Sequence, residues 1–141
     1  MYADGSALCR FLPGVRFYEE FSAWVMPNLD LVATSQLGLT ELRQAAALYP
    51  REELDKAHEV VEHVRSRIPV VRFSDDNVAV STHAASVLRP FAALHLGAAV
   101  AHPSIDTVIT YDPELARVAE LYGLAVVSPG LPVGWHNGRV G

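Results

Sequence analysis

Residues 107–127, TVITYDPELARVAELYGLAVV, decide the fold. Thr107 to Thr110 is a short β-branched run that reads as a strand. Asp112-Pro113-Glu114 then opens a helix: Asp before Pro supplies an N-cap, and the proline's missing N–H falls where no intrahelical partner exists. Gly123 stops that helix, and Ala125 to Val127 reads as the next strand. A strand returned through a helix to another strand is the repeating unit of a parallel sheet with helices on its faces.

The same alternation extends outward. A brief first strand ends near Asp4, a short helix covers Ser6 to Leu12, and a second helix runs from about Arg16 to Met26, punctuated by Pro13-Gly14 and Pro27-Asn28. Leu31 to Thr34 reads as the second strand. Ser35 caps a helix with Leu37, Leu42, Ala45, Ala46 and Tyr49 on its buried stripe, and Pro50 starts another. In the latter, Leu54, Ala57, Val61, Val64 and Ile68 form a narrow seam suited to a neighbouring helix. Pro69 to Phe73 reads as the third strand. Ser74-Asp75-Asp76 opens a helix with a cap and two dipole-favoured acids, and Pro90 begins a nearly all-apolar helix through Ala101. The expectation is an α/β protein: a three-layer α/β/α sandwich with a five-stranded, mainly parallel sheet over residues 1–130, then a glycine-rich C-terminal tail over 131–141.

A length of 141 residues suits one core rather than two. Half the residues are apolar, 19% are charged and the mean hydropathy is +0.18, a composition that excludes wholesale disorder. With 11 Lys and Arg against 16 Asp and Glu the formal net charge is −5, which argues against holding nucleic acid by bulk positive charge. A nucleic-acid role would live in a local site with metal ions. The lone Cys9 forms no disulfide within the chain and reads as a small core residue, consistent with a reducing cytosol. No apolar run is long enough to span a bilayer and the first residues lack a signal-peptide profile, so the expected location is cytoplasmic, without membrane contact.

In an open parallel sheet the ligand site lies beyond the carboxyl ends of the strands. Asp4 and Asp112 follow strands, whereas Asp30 and Asp106 precede them and belong to the opposite rim. Asp112 also serves as a helix cap; Asp4 has less structural excuse, since Ser6 could cap as well. The helix dipole accounts for Asp75 and Asp76, and an exposed helix face for Asp55. Glu41, in a mostly apolar helix beside Leu39 and Leu42, is either an exposed-face residue or part of the site. Clustered carboxylates suit hard divalent cations. Two of them about 5 Å apart repel by roughly 3 kcal/mol at an effective dielectric of about 20, so a cluster favours binding a cation.

Four segments in order resemble a known family: Met1-Tyr2-Ala3-Asp4-Gly5-Ser6-Ala7-Leu8, Leu39-Thr40-Glu41-Leu42, Ala93-Leu94-His95-Leu96 and Thr110-Tyr111-Asp112. With Leu115 to Leu124 and Val127-Ser128-Pro129-Gly130, they look like a PIN domain of the VapC toxin type, over the chain from Met1 to about Gly130. The resemblance implies a five-stranded PIN-like sandwich and a Mg²⁺- or Mn²⁺-dependent endoribonuclease toxin of a type II toxin-antitoxin system. It further implies RNA as substrate, a VapB-type antitoxin as partner, and a homodimer. Catalysis and metal binding then fall to Asp4, Glu41 and Asp112, with a metal-activated water attacking the phosphodiester. Ser6 either bonds a metal-bound water or caps the first helix, Thr110 orients Asp112, and His95, three residues after Ala92 on the same helical face, either borders the cleft or packs as a hydrogen-bonded histidine.

The chain departs from the family pattern at one place. The motif has an Asp immediately before Ala-Leu-His-Leu, where this sequence has Ala92. Three readings are open: a naturally impaired PIN domain, a site rebuilt around another acid such as Glu114, or a deliberate silencing substitution. The competing function is a catalytically silent PIN-like module that keeps antitoxin or RNA binding, with the seam of the Pro50–Ile68 helix and the Gln36–Tyr49 helix as a groove for a partner helix. A small phosphorylated ligand is disfavoured by the lack of a Gly-rich phosphate loop.

His58 and His63 are five residues apart on different helix faces, so they form no i, i+4 zinc pair despite Glu59 and Glu62. Arg10, Arg43 and Arg89 lie near the motif segments and are candidates for RNA phosphates or antitoxin carboxylates. Phe21 and Trp24 read as core or subunit-contact residues, and Trp135 as an aromatic by which the tail docks.

Overall fold

Three parallel strands form the centre of the computed structural model, which describes residues 1–138. Strand β1 (Tyr2–Ala3) pairs with β2 (Thr107–Ile109), and β2 with β3 (Ala125–Val127), in the order β1-β2-β3. Tyr2 lies opposite Val108 and Ala3 opposite Ile109. Period-two alternation sends these pairs to opposite faces. Ala3 and Ile109 join one apolar cluster, and Tyr2 and Val108 join another.

Seven α-helices cover those faces among the described residues. Helices α1 (Gly5–Leu8), α2 (Tyr18–Asn28), α3 (Gln36–Ala47) and α4 (Leu54–Arg67) contribute Leu8, Phe21, Val25, Leu39, Leu42, Val61 and Val64 to the first cluster. Helices α5 (Asp75–Ala84), α6 (Pro90–Val100) and α7 (Pro113–Leu121) supply Ala84, Leu96, Leu115 and Val118 to the second. The layers are those of an α/β/α sandwich. Ser35 caps α3 through Gly38 N–H, and Ser74 with Asn77 forms a capping box at α5. Gly97 lets α6 approach α5 closely: a Cβ there would lie 2.5 Å from the Asn77 carbonyl oxygen.

The expected five strands are corrected to three among the described residues. The segments read as strands two and three survive only as single parallel bridges, Tyr2 to Ala33 and Thr34 to Val70. Leu29–Leu31 winds into a 3₁₀ turn, and Ser35 turns the chain into α3 directly after Thr34. Across that gap Thr34 N–H donates to the Pro69 carbonyl at 3.0 Å and Val71 N–H to the Thr34 carbonyl at 2.8 Å. Pro69, with no N–H of its own, cannot extend the ladder.

Other boundaries shift by a turn. The first helix is α1 continued by a 3₁₀ turn at Cys9–Phe11, and the helix expected from Pro50 begins at Leu54 after a turn over residues 50–53. The α4 seam offers no free groove, because Ala57, Val61 and Val64 are buried in the first cluster beside α3. Phe21 is fully buried and Trp24 packs half-buried against the same cluster. In the segment 131–138, Trp135–Asn137 forms a 3₁₀ turn against α7: Trp135 Nε1–H donates to Ser128 Oγ at 2.9 Å, and His136 Nε2 lies 3.0 Å from a Glu120 carboxylate oxygen. The last three residues of the expected tail lie outside the described residues. No helix among the described residues is long and apolar enough to cross a membrane.

Candidate active site

At the carboxyl ends of β1 and β2 the chain opens into a cleft of about 620 Å³. Its walls include Asp4 and Ser6, Glu41 of α3, Arg89 to Ala92 and His95 at the start of α6, and Tyr111 to Pro113 leading into α7. Asp4, Glu41 and Asp112, far apart in sequence, therefore share one cavity with Ala92. Glu114 does not line it: this acid pairs with Arg117 one helical turn on. Arg43 is exposed on α3 and also stays outside the cleft.

Asp4 is 3% exposed, and local structure holds both its oxygens. Its Oδ1 accepts from Ala7 N–H at 2.9 Å, capping α1, and from Ser6 Oγ–H at 2.7 Å. Its Oδ2 accepts from Thr110 Oγ1–H at 2.6 Å. Thr110 Oγ1 also accepts from Asp112 N–H at 3.0 Å, so one buried hydroxyl ties the end of β1 to the end of β2. Ser6 Oγ in turn accepts from Tyr111 N–H at 2.8 Å. Burial pushes the Asp4 carboxyl above its usual range, while His95 and the hydrogen bonds from Thr110, Ala7 and Ser6 pull it back.

Glu41 is positioned by contact and by charge. Its side chain lies over Gly5, where a Cβ would stand 2.5 Å from Oε2 and 2.7 Å from Cβ of Glu41, so the close approach requires glycine. Its Oε1 bonds His95 Nε2. A carboxylate only accepts, so Nε2 carries the hydrogen. His95 is 3% exposed, and its Nδ1 lies 2.7 Å from the Tyr2 hydroxyl, which also bonds Ser35 Oγ at 2.8 Å. Burial raises Tyr2 far above the ordinary phenol value, which keeps its hydroxyl neutral. Sequence reasoning placed His95 beside the cleft or in the core; it does both.

Asp112 caps α7, with Oδ1 accepting from Glu114 N–H at 2.9 Å and Leu115 N–H at 3.4 Å. Its other oxygen accepts no hydrogen bond among the described residues. The Tyr111 side chain is held by three contacts: the ring stacks on Phe17 at 5.6 Å, lies 4.6 Å beneath the Arg10 guanidinium carbon, and its hydroxyl donates to the Pro129 carbonyl at 2.6 Å. Neither this stack nor the exposure of Phe91 was read from sequence.

A carboxylate offers about four acceptor sites. Asp4 uses three, Asp112 two and Glu41 one in these contacts. Acceptor capacity thus remains on Asp4 Oδ2, Asp112 Oδ2 and Glu41 Oε2. Among the described residues no group of three or more His, Cys, Asp or Glu side chains is arranged to hold a metal ion. Hard oxygen donors with spare lone pairs fit a hydrated Mg²⁺- or Mn²⁺-type ion, which takes one or two carboxylates and keeps several waters, rather than an ion caged wholly by protein.

Fold and site together define a doubly wound α/β protein with an acidic cleft at the carboxyl ends of its strands. The PIN domain model matches residues 1–121, and the chain belongs to that family. PIN domains are typically metal-dependent nucleases that use divalent ions. Comparison with curated proteins and with solved structures returned no significant match.

Proposed function

We propose that this chain is a Mg²⁺- or Mn²⁺-dependent endoribonuclease toxin of the VapC type, held in check by a VapB-type antitoxin and acting as a cytoplasmic homodimer. The observation that carries the reading is the convergence of Asp4, Glu41 and Asp112 on one cleft, each with an acceptor site left over. A divalent ion bound there supplies positive charge for the scissile phosphate and lowers the pKa of a water. Asp4 and Asp112 are the residues that would hold it, with Glu41 lining the same cleft. Ser6 and Thr110 keep the Asp4 carboxylate in one orientation, and His95, braced by Tyr2, does the same for Glu41. The local cation is what reconciles an RNA substrate with a chain of net charge −5.

Ala92 stands on the cleft wall where the family motif has an acid, and that favours a second reading, a catalytically silent module that still binds antitoxin or RNA. Cleavage of a structured RNA by the purified chain tests both. Turnover abolished by EDTA and restored by Mn²⁺ or Mg²⁺ supports the nuclease; cleavage indifferent to chelator refutes the mechanism. Ala92→Asp is expected to raise the rate by at least tenfold. If neither the parent nor Ala92→Asp cleaves while both bind antitoxin, the silent module is correct.

A further inference from the structure

The rim of the cleft formed by the start of α6 carries two side chains with no internal purpose. Phe91 is 57% exposed although it is a large aromatic, and its ring stacks on no other aromatic among the described residues. Arg89, two residues before it, is exposed and makes no side-chain hydrogen bond or ion pair among the described residues. Among the described residues it is also the only Lys or Arg lining the cleft. Tyr111, which also lines the cleft, differs: its ring already stacks on Phe17 and lies under the Arg10 guanidinium.

A free aromatic face and a free guanidinium lining one cleft suit a nucleotide, with the base stacked on the ring and the phosphate paired with the cation. The geometry points to Arg89 and Phe91 as a subsite for one unpaired nucleotide of single-stranded RNA, in the same cleft as Asp4 and Asp112. A base in a duplex is already stacked and paired, so the subsite discriminates against double-stranded RNA. The pair asks for a planar face and an anion together, which a nucleotide supplies and an apolar partner helix does not. The inference rests on the ribonuclease reading for its substrate class, and it concerns recognition rather than the bond-breaking step.

Binding is measured separately from cleavage, on the full chain carrying Asp4→Asn in Mg²⁺ buffer, with a fluorescein-labelled adenylate decamer and its duplex as probes. Phe91→Ala is expected to weaken decamer binding about tenfold, in line with base–aromatic stacking, and Phe91→Trp to restore it. Arg89→Gln is expected to reduce the slope of log affinity against log salt by about 0.7, as for one lost phosphate contact on a single strand, while Arg89→Lys keeps it. Both positions are on the surface, and circular dichroism checks that the variants fold. Unchanged affinity and salt slope in Phe91→Ala and Arg89→Gln overturn the subsite. Equal affinity for the duplex overturns its selectivity, and binding of an antitoxin helix in place of RNA, lost in Phe91→Ala, reassigns the surface to protein docking and overturns it too. Decamer binding that depends on Phe91, with no cleavage by the wild-type chain in any divalent ion, leaves the subsite standing and refutes the nuclease.

Discussion

Replacing Gly5 by Ala puts two effects of opposite sign in competition. Where the backbone accepts it, Gly→Ala stabilises by about 0.4–1 kcal/mol through the unfolded state. Here the new Cβ would lie 2.5 Å from Glu41 Oε2 and 2.7 Å from Glu41 Cβ. The Cβ contact is close to the α3 backbone, so a swing of the carboxylate alone does not relieve it. If Glu41 is displaced, buried His95 loses its Nε2 partner at a cost of about 1–3 kcal/mol. If Glu41 stays, overpacking costs about the same. The loss exceeds the gain, and Gly5→Ala is expected to destabilise by about 1–2 kcal/mol, read as a lower urea midpoint with an unchanged m-value. In a Glu41→Gly background the clash is gone and the same substitution is expected to be neutral or stabilising. Equal effects in both backgrounds would refute the claim that Glu41 is held against Gly5.

Further expectations follow from the contacts around the site and the C-terminal turn. Thr110→Val removes the hydroxyl shared by Asp4 Oδ2 and Asp112 N–H and is expected to cost about 2–4 kcal/mol in urea unfolding, with Thr110→Ser recovering most of it. Hydrogen bonds from His136 and Asn137 lower the pKa of Glu120 below its ordinary 4.5. A depressed carboxylate contributes stability that is present above the ordinary value and lost as pH falls through the folded one. Trp135 fluorescence in a Trp24→Phe variant is therefore expected to report undocking on the acid side, and Glu120→Gln to remove the pH dependence; a flat profile in the parent would count against it. Burial pushes the Cys9 thiol up to about 11, so at pH 8 its alkylation by iodoacetamide is expected to be roughly 200-fold slower than that of a free thiol of pKa about 8.5. Rapid labelling of the native chain would contradict this.

Much of the architecture was legible because it rests on local chemistry. The strand–helix–strand run of residues 107–127, the Asp112-Pro113 start, the Ser35 and Ser74 caps and the apolar stripes of α3 and α4 depend on spacing and on side chains a few residues apart. The rule placing ligands at strand carboxyl ends was enough to single out Asp4 and Asp112, and family resemblance added Glu41. What propensity could not weigh was competition along the outer edge of the sheet. Val70 and Ala33 look like strand residues, yet Pro69 and the immediate cap at Ser35 leave each only one bridge.

Tertiary structure alone decided how the site is held. The Thr110 hydroxyl reaches Asp4 across more than a hundred residues, Glu41 bonds His95 on another helix, and Tyr2 braces His95 from within the sheet. Such contacts depend on where separate elements come to rest, and a residue's own neighbours in sequence carry no record of that. The same holds for the exposed face of Phe91. An aromatic in an apolar helix reads as core, and only the packed sandwich reveals which side of that helix the core leaves to solvent.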